Sequence, residues 1–179
     1  FDPTTVAPAK EVRRMDRNMQ FALGAAREAY ADSGLGGHAG LELARVGVLV
    51  GSAIGGIGTI LEQHETLLER GIDRVSPFFL PNCLVDSASG QLAISLGLRG
   101  PNYAPVSACA TGSHAIGEGA EMIRRGDAVA MLCGGTEACL HPLILAGFCA
   151  MRGLAAEDEE PALASRPFDA TRSGFVMGE

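Results

Sequence analysis

Apolar runs separated by long helical segments leave this chain few ways to fold. Arg45-Val-Gly-Val-Leu-Val50 is apolar without the in-and-out alternation of a half-exposed strand, so it reads as a strand buried on both faces. A glycine-rich loop, Gly51-Ser-Ala-Ile-Gly-Gly-Ile-Gly58, follows it and runs into a helical segment over 59–70. The pattern continues with a small-residue helix over 84–98, a short strand over 102–107 and a helix over 109–125. A strand over 127–133 and an apolar helix over 142–151 come next, then an acidic surface loop over 155–161. Upstream, Val12, Met15, Met19, Leu23, Ala26 and Tyr30 recur at helical spacing, which predicts one helix of roughly 22 residues from Glu11 to a stop at Gly34. Ser76-Pro-Phe-Phe-Leu-Pro81 reads as a stiff connector, its backbone fixed by a proline at each side. Strands spaced by such helices predict an α/β fold with a largely parallel sheet covered on both faces.

Composition narrows the function classes. Glycine supplies 24 of 179 residues and aromatics only 5%, so the core is built from small aliphatic side chains that let backbones approach closely. Lys plus Arg is 14 and Asp plus Glu is 21, a net charge of −7, which argues against a general nucleic-acid binder. No apolar run is long enough for a membrane-spanning helix. The five cysteines are odd in number and form no C-x-x-C pair, which fits reduced thiols in a reducing compartment better than disulfides or a zinc site; a cytoplasmic location is expected, with plastid and mitochondrion left open. The chain opens on Phe1-Asp-Pro3 and stops at Phe175-Val-Met-Gly-Glu179, where an apolar run begins; an internal fragment is expected.

Two stretches carry candidate chemistry. The 51–58 loop joins a strand to a helix as nucleotide-binding turns do, but it is neither G-x-G-x-x-G nor a P-loop, and close backbone packing explains its glycines better. Val106-Ser-Ala-Cys-Ala-Thr-Gly112 places Cys109 where a strand turns into a helix lined by small residues. There the helix dipole and free N–H groups favour a thiolate and can hold the oxygen of a thioester under attack. A nucleophile and a buried structural thiol are both open for Cys109 on position alone; Cys83, Cys133, Cys139 and Cys149 read as buried structural thiols. His114 lies roughly 140° round the helix from Cys109, so direct pairing is not expected. His38, His64 and His141 read as surface or capping residues.

Pro101-Asn-Tyr-Ala-Pro-Val-Ser-Ala-Cys-Ala-Thr-Gly112 resembles the active-site segment of β-ketoacyl synthases, the condensing enzymes of fatty-acid and polyketide synthesis. Arg74-Val-Ser-Pro-Phe-Phe79, Gly126-Asp127 with Cys133-Gly-Gly-Thr-Glu137, and Ser165-Arg-Pro-Phe-Asp169 with Gly174-Phe-Val-Met-Gly-Glu179 resemble the same family in the same order. The likeness spans essentially the whole chain and is strongest to type II synthases of the I/II class. It implies the thiolase-like fold, a five-layered α-β-α-β-α arrangement of two similar halves. Residues 1–179 would then cover most of the first half, without its opening strand and without the second half.

The resemblance also implies a reaction. Cys109 would take an acyl group from acyl carrier protein as a thioester, with its own N–H as one oxyanion-hole donor. Malonyl-carrier protein would lose carbon dioxide, and its carbanion would attack that thioester to give a 3-oxoacyl chain two carbons longer. Two histidines, a lysine and the second donor lie in the family's other half, so this stretch alone is expected to be inactive. No cofactor and no metal is expected. By the same likeness Ile54 gates the acyl tunnel and Phe79 reaches it across a homodimer interface. Lys10, Arg13, Arg14, Arg74 and Arg152 match basic positions that dock the acidic carrier. The residues by themselves fit core packing at Ile54 and Phe79, and a solvated helix face at Arg13 and Arg14. Alternatives are a polyketide-synthase condensing domain and a non-catalytic chain-length-factor-like dimer partner; the presence of Cys109 argues against the second.

Overall fold

The computed structural model describes residues 1–155 and 160–178 and divides into two units, Phe1–Ala138 and Cys139–Glu179. Most of the expected acidic loop, residues 156–159, lies outside the described residues.

In the first unit three parallel strands lie in the order β2-β1-β3: β1 (Val46–Gly51), β2 (Asn102–Tyr103) and β3 (Ala130–Gly135). β1 pairs with β3 from Val46↔Ala130 to Gly51↔Gly135 and with β2 at Val48↔Asn102 and Leu49↔Tyr103. Because successive strand side chains point to opposite faces, β1 feeds two cores. Val46, Val48 and Val50 pack with Met19, Leu23 and Ala26 of α2 (Arg17–Asp32) and Ala88 and Leu92 of α5 (Ser87–Leu96). Leu49 faces the other way, onto Ala115 and Met122 of α6 (Thr111–Arg125). The sheet is therefore covered on both faces, as expected from the unalternating apolar run.

The element bounds differ from expectation where local chemistry overrides periodicity. The single helix from Glu11 is two, α1 (Ala9–Val12) and α2, broken at Asp16. Asp16 is extended and caps α2, its Oδ1 accepting the Asn18 N–H at 3.2 Å. Its Oδ2 accepts Thr59 N–H at 2.9 Å and Thr59 Oγ1–H at 2.7 Å, in the first turn of α3 (Ile57–Arg70). One buried carboxylate thus serves the N-termini of two helices, where its charge is favoured. The 76–81 connector is instead partly helical: Pro81 lies inside α4 (Phe79–Cys83), early enough that no intrahelical N–H is lost. The strand over 102–107 shrinks to β2, since Pro105 has no N–H for the ladder, and the helix over 84–98 shortens to α5, ended by left-handed Gly97. β3 starts and ends later than the 127–133 run.

In the second unit α7 (Pro142–Ala150) follows the expected apolar helix and is capped by His141, whose Nδ1 accepts Leu143 N–H at 3.2 Å. Phe148 and Phe175 meet edge to face at 5.1 Å, and a bridge joins Leu154 to Phe175. Among the described residues no helix is long and apolar enough to cross a membrane.

Candidate active site

All three strands point the same way, so the loops leaving their C-terminal ends gather at one end of the sheet, where α/β proteins place their chemistry. Cys109 lies in the loop after β2. It is not inside α6, as the helix expected from 109 had it, but in a 3₁₀ turn, Ala108–Ala110, immediately ahead of Thr111. The preceding Ala108 has φ +50°, a left-handed conformation that costs an L-residue about 1–2 kcal/mol. Thr111 holds it there. Its buried hydroxyl donates to the Ala108 carbonyl at 2.8 Å and accepts the Ser107 N–H at 2.9 Å.

The turn exposes Cys109 rather than sealing it in a core. Ala110 N–H donates to the Ser107 carbonyl and Thr111 N–H to that of Ala108, while among the described residues no acceptor takes the Cys109 N–H. A nucleophile and an uncommitted backbone donor on one residue are what acyl transfer needs, the donor stabilising the oxyanion that forms. His114 is committed elsewhere, its Nδ1 lying 2.6 Å from Ser107 Oγ.

The loop after β1 lies against this turn. An added Cβ at Gly51 would collide with the Pro105 carbonyl and the Thr111 methyl, so only glycine lets β1 end beside the Cys109 segment. At the end of β3, Thr136 N–H donates to the Gly51 carbonyl at 2.9 Å. Glu137 then accepts Ser52 Oγ–H and Ala53 N–H, each at 2.8 Å.

The family model for the β-ketoacyl synthase N-terminal domain matches residues 1–179. The chain belongs to that family. The 3-oxoacyl-[acyl-carrier-protein] synthase 2 of Coxiella burnetii is 46% identical over 179 residues, covering 100% of this chain and 43% of its own length. Its namesake from Staphylococcus aureus is 49% identical over 170 residues, 95% of this chain and 42% of that protein. The crystal structure of a β-ketoacyl synthase from Burkholderia phymatum superimposes with a TM-score of 0.85 at 33% identity, covering 98% of this chain and 43% of that one. The fold is thus the thiolase-like α/β fold of ketosynthases, and the chain spans less than half the length of the relatives it matches.

Within this synthase domain the remaining expected site residues are placed as follows. Ile54 is half-buried in the loop after β1, between residues tied to Glu137, and Phe79 is half-buried at the start of α4. Lys10, Arg13, Arg14 and Arg74 are exposed in the first unit; Arg13 Nε donates to the Ala9 carbonyl at 3.2 Å and Arg14 stacks over the Phe78 ring at 4.8 Å. Arg152 is exposed in the second unit, just beyond α7. The four other cysteines are not the buried thiols expected: Cys149 is exposed, and Cys83, Cys133 and Cys139 are half-buried. Burial still pushes the Cys133 thiol above its ordinary range. Sequence reasoning missed the positioning groups Ser52, Glu137 and Asp16, which have partners on other segments, and Thr111, which acts within its own turn; the one available signal was that Glu137 closed a recognised motif.

Proposed function

We propose that residues 1–179 are the N-terminal half of a longer 3-oxoacyl-[acyl-carrier-protein] synthase. It condenses malonyl-acyl carrier protein, with loss of carbon dioxide, onto an acyl chain held as a thioester on Cys109. The observation that carries the reading is the Cys109 turn, an exposed thiol and an N–H without an acceptor among the described residues, held against backbone strain by a buried hydroxyl. Forming the thioester splits one difficult carbon–carbon bond formation into two steps. Decarboxylation supplies the carbanion, so no base is needed beside the sulfur.

In this reading Ile54 and Phe79 line the acyl site. Exposed Lys10, Arg13, Arg14, Arg74 and Arg152 attract the acidic carrier, offsetting a net charge that would otherwise repel it. The synthase works as a homodimer in the cytoplasm. Support for self-association is β2, an edge strand among the described residues, which carries exposed Tyr103 and is followed by exposed Val106; such an edge is a ready template for a second copy.

The test is intact-mass measurement of the full-length protein after incubation with acyl-carrier protein. The wild type should gain one acyl group and Cys109→Ala none. An adduct that survives the substitution refutes the assignment. A protein that never acylates but pairs with an active synthase would instead be a chain-length-factor-like partner.

A further inference from the structure

The loop after β1 is held by a single carboxylate. Glu137 Oε1 accepts the Ser52 hydroxyl and Oε2 the Ala53 N–H, each at 2.8 Å, and Ser52 Oγ in turn accepts the Gly55 N–H at 2.7 Å. The backbone on both sides of Ile54 is therefore tied to Glu137, directly at Ala53 and through one hydroxyl at Gly55. Ser52 is 1% exposed, so water cannot substitute for the missing bond if the clasp is broken. A carboxylate suits the position because it has two acceptor oxygens and no donor of its own to satisfy. Bonds to an ionised acceptor are also roughly twice as strong as neutral ones. The clasp has a fixed footing: Thr136 N–H extends the β1–β3 pairing to the Gly51 carbonyl, so Glu137 leaves the sheet at a defined point. On the far side, an added Cβ at Gly55 would lie 2.6 Å from the Cys83 carbonyl, so the loop cannot shift outward freely.

We infer that Glu137 is a positioning residue for acyl-chain selection, fixing the backbone around Ile54 through Ser52. The inference rests on the reading above that Ile54 lines the acyl site. It adds that chain length is set partly by a carboxylate that never meets the chain. Removing the clasp frees the backbone on the Ala53 side, so the Ile54 side chain is no longer held in one position and longer chains are admitted.

The test uses the full-length synthase and measures Cys109 acylation by hexanoyl- and myristoyl-carrier protein in one preparation, so that the ratio of the two rate constants is independent of the folded fraction. Ser52→Ala and Glu137→Ala should each move the ratio toward myristoyl by about threefold to tenfold, in the direction of Ile54→Ala. The double variant should shift the ratio by less than the two single effects combined, because both single variants break the same Ser52–Glu137 bond. Glu137→Gln keeps the side-chain shape and one acceptor, gives a smaller shift, and carries the test should Glu137→Ala not fold. An unchanged ratio in the Glu137 variants beside a shifted one in Ile54→Ala overturns the inference, as does an additive double variant. An unchanged ratio in Ile54→Ala removes the acyl-site reading of Ile54 and this inference with it. Absence of acylation of the wild type by either chain refutes the proposed function itself.

Discussion

Replacing Thr111 by valine exchanges a hydroxyl for a methyl and keeps the β-branched shape, so it addresses the Cys109 turn with little change in packing. The hydroxyl makes two bonds, from the Ser107 N–H and to the Ala108 carbonyl. Valine leaves the Ser107 N–H without a partner in a half-buried site, a cost of about 1–3 kcal/mol. The Ala108 carbonyl keeps the Thr111 backbone N–H, so its loss is smaller, about 0.5–1.5 kcal/mol. Against a clasp worth about 1.5–4.5 kcal/mol stands the strain of Ala108 at φ +50°, about 1–2 kcal/mol. Without the hydroxyl nothing comparable opposes relaxation of that residue. Ala108 should then move toward an ordinary conformation and carry the Cys109 sulfur with it by roughly 1 Å, a displacement that costs about tenfold to a hundredfold in rate.

Thr111→Ser provides the complementary measurement. It keeps both hydrogen bonds and deletes the methyl that lies against Gly51. That loses about 1 kcal/mol of stability but leaves the turn in place. Quenched-flow acylation of the full-length enzyme, read by intact mass, should show the serine variant within about twofold of wild type and the valine variant slowed at least about tenfold. Thermal unfolding of the same samples should show both destabilised. Equal acylation rates for the two variants would refute the claim that the hydroxyl, rather than the packing, sets the nucleophile's position.

Gly51→Ala should be strongly damaging, because the new Cβ meets the Pro105 carbonyl and the Thr111 methyl; soluble yield and melting temperature should both fall. Asp16→Asn should lower stability by about 1–2 kcal/mol in a denaturant titration, since an amide cannot serve the starts of α2 and α3 as a carboxylate does. Brief alkylation should modify exposed Cys109 and Cys149 before half-buried Cys133, as peptide mapping would show. Because burial raises the Cys133 pKa, the unfolded chain ionises first; the fold should lose stability as pH rises above the ordinary thiol range, and Cys133→Ala should flatten that slope.

What could be read from the sequence and what could not follow a physical line. β1 was legible because burial on both faces leaves an unbroken apolar run, and the turn at Cys109 because small residues follow a short strand there, although position alone left the role of the thiol open. The break at Asp16 was not legible. The apolar stripe of Val12, Met15 and Met19 runs straight through it, while the cause of the break is a bond to Thr59, 43 residues away. The left-handed Ala108 gives no signal, since alanine has no preference for that region and the strain is imposed by Thr111. Cys149 was misread because an apolar helix implies burial, and the unit containing α7 leaves that side chain uncovered.

Thr111 acts within its own turn, but the groups that join the strand ends act across a gap between loops. Thr136 ties the end of β3 to the end of β1, Glu137 ties it to the loop beyond, and Gly51 lets the Cys109 segment come down onto that junction. A parallel sheet makes this possible because it delivers all three strand ends to one side, at the strand spacing of about 4.8 Å. The backbone N–H of Thr136 and a side chain as short as glutamate can then bridge neighbouring ends directly. The nucleophile's turn and the loop proposed to measure acyl length therefore share one footing at Gly51, and a perturbation there should reach both. Perturbations at Thr111 and Glu137, one step out on opposite sides, should separate them: the first changes how fast Cys109 acylates, the second changes which chain it prefers.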